Sequence, residues 1–172
     1  MPNIKVIIPA YNEEKSIAHV INDIPEIVDE VIVVNNNSTD QTAKTATNAG
    51  ATVLTEFNKG YGYACLKGMD YISQQKTKPD IIVFLDGDYS DYPEELIHLI
   101  DPIINDNIDL VIGARNKDLR AAHSMTPQQI FGNWLATLLM KIIYGARFTD
   151  LGPFRAIKYE KLLALHMQDK TY

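Results

Sequence analysis

The stretch that decides the fold is IIVFLDGDYSDYPEEL, residues 81–96. Its apolar run, 81–85, stops abruptly at two acids one residue apart, Asp86 and Asp88. A buried-strand pattern that ends in paired carboxylates either enters an ordinary polar turn or delivers ligands to a metal. The turn reading accounts for Asp91 and Glu94, which stand as caps of a helix starting near Pro93. For Asp86 and Asp88 the rest of the chain has to decide.

Outward from this strand, strand and helix periods alternate. Residues 4–8 (IKVII) form a short apolar run closed by Pro9, and 13–24 place Ile17, Val20, Ile21 and Ile24 on one helical face. A second strand, 30–34 (EVIVV), runs into three asparagines. Ser38 with Gln41 then has capping-box spacing for a helix that Gly50 ends. Residues 52–55 form a third strand, NKGYG a glycine-bearing turn, and a helix follows to about Ile72. After strand 81–85 come helix 93–104 and strand 109–112. Strands separated by helices predict βαβ units: a single α/β domain whose mostly parallel central sheet is flanked by helices and built in the first two-thirds of the chain. In such sheets ligands bind at the carboxyl ends of the strands. Here those ends carry PAYNEE, NNNSTD, NKGYG, DGDYSD and GAR, a convergence of polar and glycine residues on one rim.

Bulk properties narrow the function. With 172 residues, 46% hydrophobic and 22% charged, the chain has the composition of a globular protein. A net charge of -6 without a basic arm argues against nucleic acid as a partner. The single cysteine, Cys65, excludes an internal disulfide and a cysteine-built zinc site, and the four histidines lack ligand spacing. The apolar part of the N-terminus is too short for a signal peptide, so a cytoplasmic location is the default expectation. Residues 130–148 approach membrane length but are interrupted by Lys141 and Gly145; they read as a core helix, or as one touching a bilayer or lipid acceptor.

The motifs VIIPAYNEE, VVNNNSTDQT, NKGYGYACLKG, FLDGDYSDYPEEL, LVIGAR and TDLGPFRAI stand in the order seen in family 2 glycosyltransferases. The set resembles in particular the branch of polyprenyl-phosphate (dolichol-phosphate) mannosyl- and glucosyltransferases. The resemblance implies the GT-A fold, an inverting transfer of a hexose from a UDP- or GDP-sugar donor, and a Mn²⁺ or Mg²⁺ ion bridging the donor's phosphates. It implies a polyprenyl phosphate or a cell-envelope glycan as acceptor, and with a lipid acceptor the inner face of a membrane as the place of work. Homo-oligomerisation stays open.

By resemblance, Asp86 and Asp88 hold the metal, Asp88 the surer of the two, while Gly87 leaves room for the sugar. Pro9, Ala10, Tyr11 and Glu13 line the base and ribose pocket. Asp40 lies near the base, or else is an acid at a helix start. Asn36 stands where the family more often has Asp. Lys59 reads as a phosphate contact and Gly60 as a close backbone approach, with a plain turn explaining the glycines equally well. Arg115 reads as a phosphate contact or a surface residue. On the acceptor side, Asp150 orients or deprotonates the acceptor and Arg155 accompanies it. Related proteins continue past MQDKTY, so a catalytic domain shortened at its C-terminal end is expected. Two alternatives carry less of the pattern: a nucleotide-sugar-binding domain without catalysis, and a sugar-1-phosphate nucleotidyltransferase, whose loop after the first strand is unlike PAYNEE.

Overall fold

The computed structural model describes residues 1–113 and 152–170. Arg115, Asp150 and the apolar segment 130–148 lie outside the described residues. The chain divides into two compact units, Met1–Val111 with Phe154–Tyr172, and Ile112–Pro153. In the second, a Cβ on Gly152 would lie 3.0 Å from the Gly113 carbonyl oxygen, so these two glycines approach backbone to backbone.

Six strands form one sheet: β1 (Ile4–Ala10), β2 (Glu30–Asn35), β3 (Thr52–Thr55), β4 (Ile81–Phe84), β5 (Leu110–Ile112) and β6 (Arg155–Lys158), in the order β3-β2-β1-β4-β6-β5. The β1–β2, β2–β3 and β1–β4 pairs are parallel, and β4–β6 is antiparallel. The helices are α1 (Ile17–Asn22), α2 (Thr42–Asn48), α3 (Tyr61–Gln74), α4 (Leu96–Asn105) and α5 (Tyr159–Ala164). Strand alternation assigns them to two faces. Ile4, Val6, Ile8, Val83 and Ala156 join the core shared with residues of α1, α2 and α4. Ile7, Ile32, Ile82, Phe84 and Ile157 join the one shared with α3 and α5. The result is a three-layer α/β sandwich, as the alternating periods predict. Among the described residues, no helix is long and apolar enough to cross a membrane.

Several boundaries differ from the sequence reading. β1 runs through Pro9 to Ala10, where Pro9 pairs with Val34. Leu85 N donates to Ile7 O on the β4 side, and Asn36 N to Ala10 O on the β2 side. By alternation, the hydrogen that Pro9 lacks would face β4 beyond the last ladder pair, Ile7 with Phe84, so no rung is lost. The expected helix 13–24 is helical only over Ile17–Asn22, and the helix at Pro93 opens with a 3₁₀ turn, Pro93–Glu95. The Ser38–Gln41 capping box does not form, because Ser38 Oγ accepts the Asn12 amide from the neighbouring loop (3.0 Å). The sheet is also not completed in the first two-thirds of the chain. β6 inserts between β4 and β5, and its Lys158 amide donates to Asp109 O (3.0 Å).

At the amino rim of the sheet Glu30 gathers four donors. Lys5 Nζ (2.6 Å) and Gln75 Nε2 (3.0 Å) reach one oxygen, Thr52 Oγ1 (2.9 Å) and Tyr71 Oη (2.9 Å) the other. Burial raises the pKa of this carboxyl, but the hydrogen bonds from Lys5, Gln75, Thr52 and Tyr71 outweigh it and bring it to about 2, against the usual 4.5. The network ties three strands to α3 and leaves the opposite rim for chemistry. A folded-state pKa below the unfolded one means stability fully present above about pH 4.5 and lost as pH falls toward 2. Glu30→Gln, which strands the buried Lys5 ammonium, is expected to cost roughly 2–3 kcal/mol near neutrality. Urea unfolding from pH 7 to pH 2.5 should show the difference between wild type and variant shrinking below pH 4.5; a constant difference would contradict the network's charge.

Candidate functional site

From β1 the chain steps outward to β2 and β3, then returns to place β4 on β1's other flank. Connections therefore leave the carboxyl ends of β1 and β4 in opposite directions, which opens a crevice between them. A cleft of about 300 Å³ occupies this point. Its walls are Pro9 and Ala10 at the end of β1, Tyr11 and Glu13 after it, Asn36 after β2, Asp86, Gly87 and Asp88 after β4, and Tyr61 and Ala64 of α3.

One wall is two loops fastened together. Asn12, at φ 59°, accepts Thr39 N (2.8 Å), Glu13 N donates to Thr42 Oγ1 (2.8 Å), and Gln41 N donates to Glu14 Oε2 (3.0 Å). Asparagine tolerates this left-handed backbone, which turns the chain back toward β2. Glu13 also accepts the Ser16 hydroxyl (2.9 Å), which fixes its carboxylate at the cleft. Asp40 is not on the cleft wall. Its oxygens accept the Thr42 amide (3.0 Å) and hydroxyl and the Glu14 amide (3.2 Å). Desolvation raises its pKa, but those hydrogen bonds prevail and hold it below the usual carboxylate range. Asp40 thereby clasps the two loops beside the start of α2.

Asn36 anchors the second wall. Its side-chain amide donates to Asn58 O (2.7 Å) and Glu56 O (3.4 Å), and its carbonyl oxygen accepts Gly60 N (2.9 Å). An aspartate could perform only the last of these, which gives a physical reason for asparagine here. The loop so held carries Lys59, whose Nζ lies 5.3 Å from the centre of the Tyr11 ring, at the cleft's mouth. Gly60 has φ 145°, and a Cβ there would lie 2.9 Å from the Lys170 carbonyl oxygen. A Cβ on Gly62 would overlap the Asp169 carbonyl oxygen. Both glycines are required by close backbone approach, and the partner is this chain's own segment 169–170.

The third wall is the acidic turn. After the Leu85 rung, Asp86 is half-buried, Gly87 buried and Asp88 exposed, with Asp88 Oδ1 accepting Ser90 N (2.9 Å). Tyr89 takes φ 63°; its hydroxyl bonds Asp23, and its ring meets His19 edge-on at 6.3 Å. A Cβ on Gly87, itself on the cleft wall, would stand at ordinary distances of 3.4–3.5 Å from Ile17, Ala10 and Glu13. Asp86 and Tyr61 line the same cleft. Burial, with the charges of Cys65 and Asp86, pushes the Tyr61 phenol far above its usual range, so it stays protonated. Burial also pushes the Cys65 thiol beneath it up to about 12, which leaves it unreactive.

Arg155 reaches the same corner. β6 is antiparallel to β4, so its first residue lies at the rim where β4 ends, paired with Phe84. The Arg155 charge acts on both Tyr61 and Cys65. The structure thus brings Asp86, Asp88, Glu13, Tyr11 and Asn36 together with Arg155 nearby. It adds Tyr61 and Ala64, which the sequence reading missed; with Cys65 they form one face of the first turns of α3, a spacing that could have pointed to them. Among the described residues, no three His, Cys, Asp or Glu side chains cluster as a complete metal site. Two carboxylates on one turn are nevertheless the hard oxygen donors that Mn²⁺ or Mg²⁺ takes when substrate phosphates and water fill its other positions.

The profile of the family described as Glycosyl transferase family 2 matches residues 5–164. Protein RfbJ of Shigella flexneri is 37% identical over 118 residues, 67% of this chain and 88% of that protein. A UDP-N-acetylglucosamine–dolichyl-phosphate N-acetylglucosaminyltransferase of Methanococcus voltae is 30% identical over 166 residues, 86% of this chain and 65% of that one. Glucosyl-3-phosphoglycerate synthase of Mycobacterium tuberculosis, solved with Mn²⁺, uridine diphosphate and glucosyl-3-phosphoglycerate, superposes with a TM-score of 0.70 at 26% identity, covering 92% of this chain and 57% of that one. The chain thus spans nearly all of RfbJ but under two thirds of the other two. The sheet and helices have the GT-A architecture of the last.

The Asn36 clamp generates a test of how the second wall is held. Asn36→Asp, which sets a carboxylate against the carbonyls of Asn58 and Glu56, is expected to destabilise the fold by about 2 kcal/mol at pH 7. Thermal unfolding measures it. An unchanged midpoint would mean that the two donated hydrogen bonds contribute nothing.

Proposed function

The chain belongs to glycosyl transferase family 2, and on that footing we propose that it transfers a hexose from a UDP-sugar to a phosphate-bearing acceptor, with a divalent cation at Asp86 and Asp88. The observation that carries this reading is the single cleft at the switch point, where the PAYNEE loop, Asn36 and the Asp86-Gly87-Asp88 turn face one another. In support, the mycobacterial neighbour is a structure with Mn²⁺ and uridine diphosphate. The Methanococcus relative is named for a UDP-sugar and dolichyl phosphate. The two point to UDP ahead of GDP, and their acceptors, a lipid phosphate and a phosphorylated three-carbon acid, both carry phosphate.

In this reading the 172 residues are one catalytic domain, and each wall has a task. Tyr11 packs on the base, Glu13 accepts ribose hydroxyls, and Lys59, poised over Tyr11, reaches the diphosphate. Breaking the anomeric C–O bond leaves its electron pair on the departing nucleoside diphosphate, while an acceptor oxygen forms the new bond from the opposite face with inversion. A bound Mn²⁺ or Mg²⁺ supplies Lewis-acid neutralisation of the charge that builds on the diphosphate. Arg155 offers a guanidinium at the same corner to an acceptor phosphate, with Arg115 and Asp150 completing the phosphate and acceptor contacts. Where a lipid phosphate is the nucleophile it is already ionised near neutral pH and Asp150 serves to orient it; where a hydroxyl of a phosphorylated acceptor attacks, Asp150 takes its proton. A lipid acceptor brings the protein to the cytoplasmic face of a membrane.

The test is calorimetric titration with UDP and with GDP, each with Mn²⁺ and with a chelator. Wild type is expected to bind UDP at least tenfold more tightly with Mn²⁺. Asp88→Ala should abolish that gain while leaving the thermal midpoint within about 1 °C, because Asp88 is an exposed turn residue. Equal Mn²⁺-dependent binding by the variant would remove Asp88 from the metal site.

A further inference from the structure

We propose that Tyr89 is a positioning residue of the acidic turn: clamped to the last turn of α1, it holds the Asp88 carboxylate in the direction from which a cation takes it. This deepens the proposed function and rests on its reading of Asp88 as a cation ligand. Tyr89 takes φ 63°. A bulky side chain rarely adopts that left-handed backbone, and a residue held there marks a loop whose surroundings fix its shape. Across Tyr89 the Asp88 carboxylate and the Ser90 amide close a small ring, with Oδ1 accepting the amide at 2.9 Å. Such a turn commits one carboxylate oxygen to the backbone and leaves Oδ2 for a ligand. The rotation of Asp88 and the backbone of Tyr89 are therefore one geometry, and whatever holds Tyr89 holds the carboxylate. A ligand ordered in advance keeps the affinity that ordering on binding would consume.

What holds Tyr89 is α1. The Tyr89 hydroxyl donates to Asp23 Oδ2, and its ring meets the His19 ring edge-on, with 6.3 Å between centres and 76° between planes. His19 and Asp23 are four residues apart, and the Asp23 amide donates to His19 O (3.1 Å), so both contacts stand on one closed helical turn. The helix is itself seated in the core by Ile17, Val20 and Ile21. The acidic turn runs along it. A Cβ on Gly87 would stand 3.4 Å from Ile17 and 3.5 Å from Glu13 at one end, and Tyr89 reaches Asp23 at the other. A glycine in place of Tyr89 would take this backbone without strain, but it would have no group with which to reach α1. The side chain thus has a reason to be there that the backbone alone does not supply. Through α1 two walls of the cleft share one support, because the Ile17 amide donates to Glu13 O (2.9 Å) where the helix begins.

The decisive comparison uses Tyr89→Phe, Asp88→Ala and the double variant, with UDP and Mn²⁺ as probes. Calorimetry measures the gain in UDP affinity that Mn²⁺ supplies over chelator, and hydrogen exchange at the Ser90 amide reads the turn in metal-free protein. Tyr89→Phe keeps the ring and removes only the hydroxyl. It is expected to cut the Mn²⁺ gain about fivefold, which is what one ordinary hydrogen bond supplies, and to quicken Ser90 exchange. UDP affinity in chelator and the thermal midpoint should stay at wild-type values. Asp88→Ala should abolish the gain, and adding Tyr89→Phe to it should change nothing more. If Asp88→Ala abolishes the gain and Tyr89→Phe leaves it intact, the positioning role is wrong and the metal assignment stands. A full gain in Asp88→Ala, or no Mn²⁺ effect in the unaltered protein, overturns the metal assignment and the positioning role with it. A further loss in the double variant, an equal loss of UDP affinity in chelator, or a reduced gain with unchanged Ser90 exchange would show Tyr89 acting on the cleft by a route other than Asp88, and would also overturn the proposal.

Discussion

Everything in the site depends on the adjacency of β1 and β4, two parallel strands whose following segments depart in opposite directions. Parallel pairing makes the carboxyl ends of β1 to β4 finish on one rim, and the change of direction opens a crevice between β1 and β4. Pro9 shows how far the constraint reaches into the sequence. It sits inside a strand, which is ordinarily unfavourable, yet at the one register where the β4 ladder has already ended. The same ending frees Asp86 from the sheet while keeping its backbone within one residue of a rung.

The two rims divide the work of stability and chemistry. At the amino rim, Glu30 uses both oxygens on partners from β1, β3 and α3, a closed polar network with a buried lysine inside it. At the carboxyl rim the polar groups serve to shape loops. Of the five non-glycine residues with positive φ among those described, Asn12, Asn37 and Tyr89 lie in the three loops after β1, β2 and β4. For the asparagines this conformation is cheap, but for Tyr89 it is strained, and the bonds to Asp23 and His19 hold it. Strain of that kind persists where the surrounding structure over-determines a loop, as it does beside Asp88.

The strands were legible in the sequence because each is an apolar run bounded by turn residues, and the acidic turn was legible because carboxylates at a strand end have few other uses. What escaped was decided by contacts between loops. Ser38 and Gln41 have capping-box spacing, but Ser38 serves Asn12 and Gln41 donates to Glu14, both across to the PAYNEE loop. Asp40 could be read either as a base contact or as an acid at a helix start, and the amides it binds, those of Thr42 and Glu14, are set by the meeting of two loops that no local pattern displays. β6 was missed because four residues, RAIK, carry little period of their own, and their place between β4 and β5 is a long-range outcome. Tyr61 was missed because an aromatic residue after a glycine turn looks the same whether it faces the core or a cleft.

The direction of β6 has a consequence for charge. Were it parallel to β4, Arg155 would open the strand at the amino rim, at the opposite end of the sheet from the cleft. Because it is antiparallel, its first residue stands where the others finish, and a guanidinium arrives at a corner that otherwise holds acids. The Tyr61 phenol on the same cleft wall stays neutral. The corner is therefore built with a fixed cation, two carboxylates and a neutral phenol. Such a set is incomplete by itself, since two carboxylates on one turn repel, and Arg155 offsets one charge at most. A divalent cation between the two carboxylates would relieve that repulsion, and the antiparallel direction of β6 is what sets a guanidinium beside the same turn.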